Sequence, residues 1–252
     1  MPADLSDKRC IVTGGATGIG RASAIRLAEL GAQVAIFDNN NEDGNDTAIE
    51  INDNGGNCRF WSVDVRDEAN VSGTVIAAKA WLGDIDVLCH FAGVLQGASI
   101  PLYDFPERTW DTVLDINLRG TYLMAKYVVI EMLKKPGPHR GTIILTASGA
   151  GVKGGSSSYA YGASKGGVHG FTMVMQQYLE ARGIRVNDFA PGSVDTPLKV
   201  AQLRSTGAIT EQPVEQVEQA VASLTNPGDV AEIVAFMASD EANALRGIVF
   251  TA

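Results

Sequence analysis

The chain has 252 residues, 45% of them hydrophobic, which is enough to bury one large core. Its formal net charge of -9 argues against a surface that collects the phosphates of nucleic acid, so we expect no nucleic-acid partner. No apolar run approaches a membrane span and no secretory signal is visible, which favours a cytoplasmic protein without a membrane partner. Cys10, Cys58 and Cys89 are widely spaced in apolar stretches, as buried free thiols would be.

Strand-like and helix-like segments alternate along the whole chain. Short β-branched runs predict strands at residues 10–13, 34–37, 58–63, 87–91, 142–146 and 185–189, and residues 247–251 can add a seventh. Apolar periodicity predicts helices at residues 18–30, 42–54, 67–82, 106–134, 158–182 and 227–239. This order indicates a parallel sheet, and nearly continuous apolar strands indicate helices on both faces. We therefore predict one α/β domain over residues 1–252, built on a doubly wound parallel sheet.

A glycine-rich turn joins the first predicted strand to the first predicted helix. Residues 13–20 read TGGATGIG, and the helix after them carries small and apolar side chains. Glycines at this place let the backbone approach a pyrophosphate, whose charge is met by free N–H groups at the helix N-terminus. A tight turn that uses glycine only for its backbone freedom is the alternative.

A second run, residues 149–154, has the same G-x-G-x-x-G spacing after a strand. It does not open a helix and no acid follows about twenty positions later, so we do not assign the pyrophosphate to it. The first turn has such an acid in Asp38, which can accept hydrogen bonds from the adenosine ribose. The carboxylate would repel the 2′-phosphate of NADP, and neither Thr17 nor Asn39 offers a compensating cation, so we predict NAD. A role for Asp38 in capping the turn with Asn39 is the alternative.

Tyr161 and Lys165 lie one turn apart on the same face of a predicted helix. A neighbouring ammonium favours the phenolate, lowers the pKa of the tyrosine and makes it available as a general acid or base. Tyr122 and Lys126 have the same spacing, which an amphipathic helix explains equally well. Only the first pair follows a strand-end serine, Ser148, whose hydroxyl can hydrogen-bond a substrate oxygen.

With these residues in place, the chain resembles the short-chain dehydrogenase/reductase family over nearly its whole length. The motifs that carry the resemblance are the glycine turn and Asp38, Asp64-Val65, Ala92-Gly93, Asn117, Ser148, Tyr161, Lys165 and Pro191-Gly192 with Thr196. The resemblance implies a Rossmann fold, no metal, and a catalytic tetrad of Asn117, Ser148, Tyr161 and Lys165. It implies a cofactor site made of Gly14, Thr17, Gly18, Ile19, Gly20, Asp38, Asn39, Asp64, Val65, Ala92, Gly93, Tyr161, Lys165, Pro191, Gly192, Val194 and Thr196.

The implied reaction interconverts a secondary alcohol and a ketone by hydride transfer with NAD. Tyr161 would take the alcohol proton as its phenolate, and Ser148 would orient the substrate oxygen. Lys165 would lower the pKa of Tyr161 and hold the nicotinamide ribose, while Asn117 would position a water in the proton path. The alternatives are an NADPH-dependent reductase of 3-oxoacyl or other carbonyl substrates and a catalytically silent dinucleotide-binding regulator.

The resemblance also implies a homotetramer. Its contacts would come from the predicted helices at residues 106–134 and 158–182. Their apolar positions suit either subunit contacts or the core, and they are Val128, Val129, Met132, Phe171, Met175 and Tyr178.

One departure from the family pattern follows the fourth strand, where Phe91 stands in place of a frequent asparagine. Phe91 cannot make the hydrogen bonds of an amide, so local support of the sheet must differ there. We expect the neighbouring His90 to be structural and not catalytic, because no partner motif accompanies it.

In this fold class ligands bind beyond the carboxyl ends of the strands, which selects residues 94–99, 149–156 and 193–226 as pocket walls. The last of these segments is longer and more polar than an ordinary connection, and we predict that it is a substrate lid. Residues 162–164 are small, and we expect them to let a dinucleotide approach the catalytic helix.

Overall fold

A computed structural model describes residues 3–251, and its centre is one parallel sheet. The strands are β1 (Arg9–Thr13), β2 (Gln33–Asp38), β3 (Asn57–Ser62), β4 (Val87–His90), β5 (Gly141–Thr146), β6 (Ile184–Ala190) and β7 (Gly247–Phe250). Their order is β3-β2-β1-β4-β5-β6-β7, so the chain reverses direction across the sheet between β1 and β4. The predicted doubly wound sheet is confirmed. The predicted domain also included residues 1, 2 and 252, which lie outside the described residues.

Nine α-helices occur within residues 3–251. They are α1 (Gly18–Glu29), α2 (Asn41–Asp53), α3 (Glu68–Leu82), α4 (Glu107–Leu114), α5 (Gly120–Met132), α6 (Tyr159–Leu179), α7 (Pro197–Ile209), α8 (Val214–Ala222) and α9 (Pro227–Ala238). The apolar side chains of α1, α2 and α9 pack on one face of the sheet, and those of α3, α5 and α6 pack on the other. The sheet is therefore covered on both faces, as the apolar strands predicted.

The structure differs from the sequence expectations in two helical regions. The single helix predicted at residues 106–134 is interrupted by one turn of π-helix, Asp115–Arg119, between α4 and α5. The predicted lid, residues 193–226, contains α7 and α8, two helices that the sequence analysis did not predict. The start of α7 does have a sequence signal, because Thr196 caps the helix and Pro197 occupies its first position.

Most of the apolar positions considered for subunit contacts belong to the core. Val128, Met132 and Met175 are buried against the sheet, and Val129 and Phe171 pack partly against the same cluster. Tyr178 is the exception among these positions, because 66% of its surface is exposed. The large apolar side chains that α5 and α6 expose are Tyr122, Ile130, Tyr159, Met173, Val174 and Tyr178.

Two expectations about apolar segments can be compared directly with the structure. All three cysteines are buried and free, and burial raises the pKa of Cys58 and Cys89 to about 12. Among the helices of residues 3–251, none combines the length and the apolar character needed to cross a membrane.

Asp86 joins three parts of the fold at the amino edge of the sheet. Its Oδ2 accepts hydrogen bonds from the backbone N–H (3.0 Å) and the side-chain Nε (2.6 Å) of Arg9. Its Oδ1 accepts a hydrogen bond from Lys135, just beyond α5. Burial raises the pKa of the Asp86 carboxyl, but the bonds from Arg9 and Lys135 outweigh it and hold the pKa below its ordinary value. The folded state therefore favours the charged carboxylate.

We expect Asp86→Asn to lower the free energy of unfolding by about 2–3 kcal/mol at pH 7, because the amide keeps one acceptor oxygen instead of two and loses charge-assisted hydrogen bonds from Arg9 and Lys135. Since the folded pKa lies below the unfolded value of 3.8, the contribution is complete above that value and is lost as the pH falls below it. Urea unfolding at several pH values measures both effects. Asp46→Asn, at an exposed acid on α2, is the control. A difference from the wild type that did not become smaller as the pH fell from 4 to 2 would contradict this account.

Candidate functional site

A cavity of about 570 Å³ opens at the carboxyl edge of the sheet, where the strand order reverses. Every residue predicted for the cofactor lines it, together with Ser148. Asn117 lies behind the wall of the cavity and is 1% exposed. The residues predicted from separate motifs are thus brought together in one site.

The glycine turn shapes one end of this cavity. Gly14 has a φ of +66°, a conformation that favours glycine, and a Cβ on Gly20 would overlap the carbonyl oxygen of Gly14. Thr17 begins α1 without a side-chain hydrogen bond to the first turn, and no acid lies in that turn. By contrast, side chains cap α2, α3 and α6. The N–H groups of α1 are therefore free to meet an anion, which fits a pyrophosphate.

Asp38 ties the glycine turn to the end of β2. Its Oδ2 accepts a hydrogen bond from the backbone N–H of Ala16 (3.0 Å), and its Oδ1 accepts one from Asn40 (3.0 Å). The capping role is therefore real, although its partner is Asn40 and not Asn39. Each carboxylate oxygen has further acceptor capacity, so the side chain can also accept a bond from a ribose hydroxyl.

Asp64 and Arg66 form an ion pair at the same end of the cavity. The Nη2 atom of Arg66 lies 2.6 Å from Oδ2 of Asp64. Hydrogen bonds from Arg66 hold the pKa of Asp64 below its usual range. Arg66, a cation that lines this end of the cavity, is thus already paired with a carboxylate.

The α6 helix positions the predicted acid–base pair. Ser158 caps the helix, because its Oγ accepts a bond from the N–H of Tyr161 (3.3 Å) and donates to the carbonyl of Gln96 (2.6 Å). Tyr161 and Lys165 then both line the cavity, with Nζ of Lys165 5.7 Å from the centroid of the tyrosine ring. The ammonium donates to the carbonyl of Thr146 (2.8 Å).

Burial changes the proton affinities of both side chains. It raises the pKa of the Tyr161 phenol, while a hydrogen bond with Ser148 acts in the opposite direction. It lowers the pKa of Lys165 to about 8. The pKa of Tyr161 is thus raised and not lowered as the sequence predicted, while Ser148, Tyr161 and Lys165 line the cavity as one compact group of proton donors and acceptors.

Asn117 occupies the π-helical turn and holds two elements together. Its Oδ1 accepts a hydrogen bond from the N–H of Val94 (2.8 Å), and its Nδ2 donates to the Val94 carbonyl (2.9 Å) and to Ser164 Oγ (3.0 Å). The amide thus links the segment after β4 to α6. Both of its N–H groups are used, so an ordered water in a proton path would have to bond to the remaining lone pair of Oδ1.

Residues 162–164 do not line the cavity, so the expectation that they make room for a dinucleotide is wrong. A Cβ on Gly151 would overlap the carbonyl oxygen of Gly162, and a Cβ on Gly162 would lie 2.9 Å from that of Ser156. Ser164 bonds to Asn117. These small side chains let residues 149–156 and Asn117 pack against α6.

A histidine and a threonine support the sheet where Phe91 replaces the asparagine. Thr13 Oγ1 accepts hydrogen bonds from the N–H groups of Phe91 and Ala92 (3.2 Å each) and lies 2.8 Å from His90 Nδ1. Burial and the nearby Lys165 charge lower the pKa of His90 to about 3, so the ring is neutral. Since Thr13 Oγ1 accepts twice, its own hydrogen goes to Nδ1, and the ring proton is then on Nε2. The Phe91 ring packs edge-to-face against Phe189.

The cavity also contains residues that no sequence motif indicated. Ile116 is one of them, and Lys199 and Gln202 lie in the predicted wall segment 193–226, where no motif singled them out. Lys199 and Gln202 share one face of α7, which could be recognised only by locating the helix from its Thr196-Pro197 start. Of the predicted wall segments, residues 94–99 contribute Val94 and Leu95.

Comparisons with known proteins bear on the family to which the chain belongs. The family model for short chain dehydrogenase matches residues 8–206. The cis-4-hydroxycyclohexanecarboxylate dehydrogenase of Sinomonas cyclohexanicum is 35% identical, over 99% of this chain and 96% of that protein. The cyclopentanol dehydrogenase of a Comamonas species is 34% identical, over 96% and 94%.

A solved structure agrees in fold as well. A variant of actinorhodin polyketide ketoreductase with NADPH superposes with a TM-score of 0.90 at 28% identity, covering 100% of this chain and 98% of that one. The family model covers well over half of the chain, and the two relatives match nearly its full length. The chain therefore belongs to the short-chain dehydrogenase/reductase family of oxidoreductases.

Proposed function

We propose that this protein is an NAD-dependent dehydrogenase that interconverts a secondary alcohol and a ketone. The observation that carries the proposal is that Ser148, Tyr161 and Lys165 line the same cavity as the uncapped N-terminus of α1 and Asp38. The cavity thus offers an acid–base group at one place and anion and ribose contacts at another. Both are needed for hydride chemistry with a dinucleotide.

The residues of the glycine turn fit the cofactor. The free N–H groups of α1 would hold the pyrophosphate, and Asp38 would accept hydrogen bonds from the adenosine ribose. The nicotinamide, when bound, supplies a hydride acceptor. A Cβ on Gly93 would lie 3.2 Å from Asn117 Oδ1, so glycine keeps this part of the cavity wall close to Asn117.

The side chains of the acid–base group divide the remaining work. Tyr161, as its phenolate, takes the hydroxyl proton of the alcohol at Oη, and it returns that proton when the ketone is reduced. Ser148 lines the same cavity as Tyr161, which suits it to orient the substrate oxygen. The Lys165 ammonium stabilises the phenolate, and Asn117 keeps α6 against the segment after β4.

The names of the relatives support an alcohol substrate. One of them acts on cyclopentanol and another on a hydroxycyclohexanecarboxylate, which are both secondary alcohols on a ring. An NADPH-dependent carbonyl reductase is the second candidate, because the similar ketoreductase structure contains NADPH. The Asp38 carboxylate favours the first candidate, since it would repel the additional phosphate.

We also propose that the protein is a homotetramer. The support is the group of exposed apolar side chains on α5 and α6, which includes Tyr122, Ile130 and Tyr178. Exposed apolar side chains that lie together are typical of subunit contacts.

We expect Tyr161→Phe to lower kcat for oxidation of cyclopentanol or cyclohexanol with NAD by roughly 10²–10⁴-fold, because the proton acceptor is removed. The Kd for NADH, measured by fluorescence, should change by less than about threefold, since the ring remains. Tyr122→Phe is the matched control, because Tyr122 also precedes a lysine by four residues but is 46% exposed on α5. Loss of turnover in the control with normal turnover in Tyr161→Phe would overturn the assignment.

We expect the wild type to bind NADH more tightly than NADPH, and Asp38→Asn to weaken this preference. Two like charges about 4 Å apart repel by about 1 kcal/mol in water and by about 4 kcal/mol at a dielectric constant of 20. These energies correspond to a roughly 5-fold to several-hundred-fold change in affinity. Asparagine keeps an acceptor for the N–H of Ala16 or Asn40 and so limits structural damage. Calorimetric titration with both cofactors measures the ratio. A wild type that preferred NADPH would support the reductase instead.

We expect kcat/KM for oxidation at saturating NAD to rise with pH as Tyr161 loses its proton. Lys165→Met should displace this rise to higher pH by about 0.5–2 units, since a charge about 6 Å away no longer favours the phenolate. The difference in kcat/KM between the wild type and Lys165→Met should be largest below pH 8, because the Lys165 ammonium, with a pKa of about 8, is charged there. Lys126→Met, next to Tyr122, is the control. Coincident profiles for wild type and Lys165→Met would exclude this role.

A further inference from the structure

The first turn of α7 carries a lysine that has no acidic partner in the cavity. Lys199 lines the cavity, and its Nζ donates to Oε1 of Gln202 (2.9 Å). Gln202 is 8% exposed, and its Nε2 donates to Thr206 Oγ1 (3.0 Å), so the amide has a fixed orientation. Among the salt bridges of residues 3–251, none involves Lys199. Two of the three ammonium donors are left for another acceptor.

The surroundings of Lys199 disfavour its positive charge. It lies in the first turn of α7, where the helix dipole is positive and a cation is destabilising. Partial burial lowers its pKa. A bound anion would offset both effects and would also use the free donors.

The other cations of the cavity already have partners or a role. Arg66 is bound to Asp64 at the end where the ribose is expected. Lys165 lies beside Tyr161 and donates to the carbonyl of Thr146. Of the cations that line the cavity, Lys199 alone among the described residues has neither an acid partner nor an assigned function.

We propose that Lys199, oriented by Gln202, binds a carboxylate of the substrate, so that the protein prefers hydroxy acids to neutral alcohols. This inference rests on the proposed dehydrogenase function and specifies the substrate class of the same site. The cofactor pyrophosphate is the other source of an anion. Binding of the pyrophosphate by Lys199 is disfavoured because α7 meets the glycine turn at Thr196, whose side chain would lie 2.9 Å from a Cβ on Gly18. Lys199 lies one turn further along the helix, where it bonds to Gln202.

The test compares secondary hydroxy carboxylates of increasing length with their methyl esters, which carry the same alcohol without the charge. In the wild type, kcat/KM for at least one carboxylate should exceed that of its ester by about 10- to 100-fold. Lys199→Met should reduce this ratio to about twofold or less by raising KM for the carboxylate only. Lys199→Arg should keep part of the preference. Lys134→Met, which removes an exposed charge beyond α5, should leave the ratio unchanged.

The Kd for NADH, measured by fluorescence, separates the two sources of the anion. It should stay within about twofold of the wild type in Lys199→Met. A loss of NADH affinity as large as the loss for the carboxylate would assign Lys199 to the pyrophosphate and overturn the proposal. Equal use of carboxylates and esters by the wild type would overturn it while leaving the proposed function intact.

A binding measurement, which needs no turnover, tests the inference even if the protein oxidises no alcohol in the series. That lack of oxidation would itself count against the proposed function. Cyclohexanecarboxylate, which has no hydroxyl group, is titrated into the protein with bound NADH. Binding that Lys199→Met and Lys199→Gln both abolish supports the carboxylate site, and its absence in the wild type overturns it. Circular dichroism of both variants establishes that they are folded.

Discussion

The hydroxyl of Thr13 holds the carboxyl ends of β1 and β4 together, and the geometry of the whole cavity depends on it. Its oxygen accepts hydrogen bonds from Phe91 and Ala92, and its hydrogen goes to His90. At the same place the backbone of Gly14 approaches so closely that a Cβ would lie 2.8 Å from the N–H of Ala92. The glycine turn and the segment that follows β4 are thus fixed against each other where the sheet changes direction.

A continuous series of hydrogen bonds connects this point to the acid–base group. Thr146 Oγ1 donates to the carbonyl of His90 (2.7 Å), and the carbonyl of Thr146 accepts from Lys165 (2.8 Å). Asn117 adds a second connection, from the segment after β4 to α6. The end proposed to bind an anion and the end proposed to transfer a proton therefore share one support, and hydride transfer needs such support because it depends on alignment within fractions of an ångström.

Local patterns in the sequence were sufficient for most of the fold and for the residues that line the cavity. Strands, the glycine turn and the Tyr161–Lys165 spacing are properties of short segments, and all of them have the predicted positions. The π-helical turn at Asn117 has no local signal, because the hydrogen bonds that hold the Asn117 amide come from Val94 and Ser164, which are distant in sequence. The small residues 162–164 were misinterpreted for the same reason, since the loop that packs on them is known only once the chain has folded.

The cavity separates charges of opposite sign along its length. The Asp38 carboxylate lies at the end expected for the adenosine ribose, and the nearby Arg66 is neutralised by Asp64. Lys165 and Lys199, which have no carboxylate partner among the described residues, lie beside the acid–base group and on α7. A negative charge is therefore disfavoured at Asp38 and favoured at the two lysines, in a space where partial burial strengthens both effects. One distribution of charge thus underlies both proposed selections, against the additional phosphate of NADP and in favour of an anionic substrate.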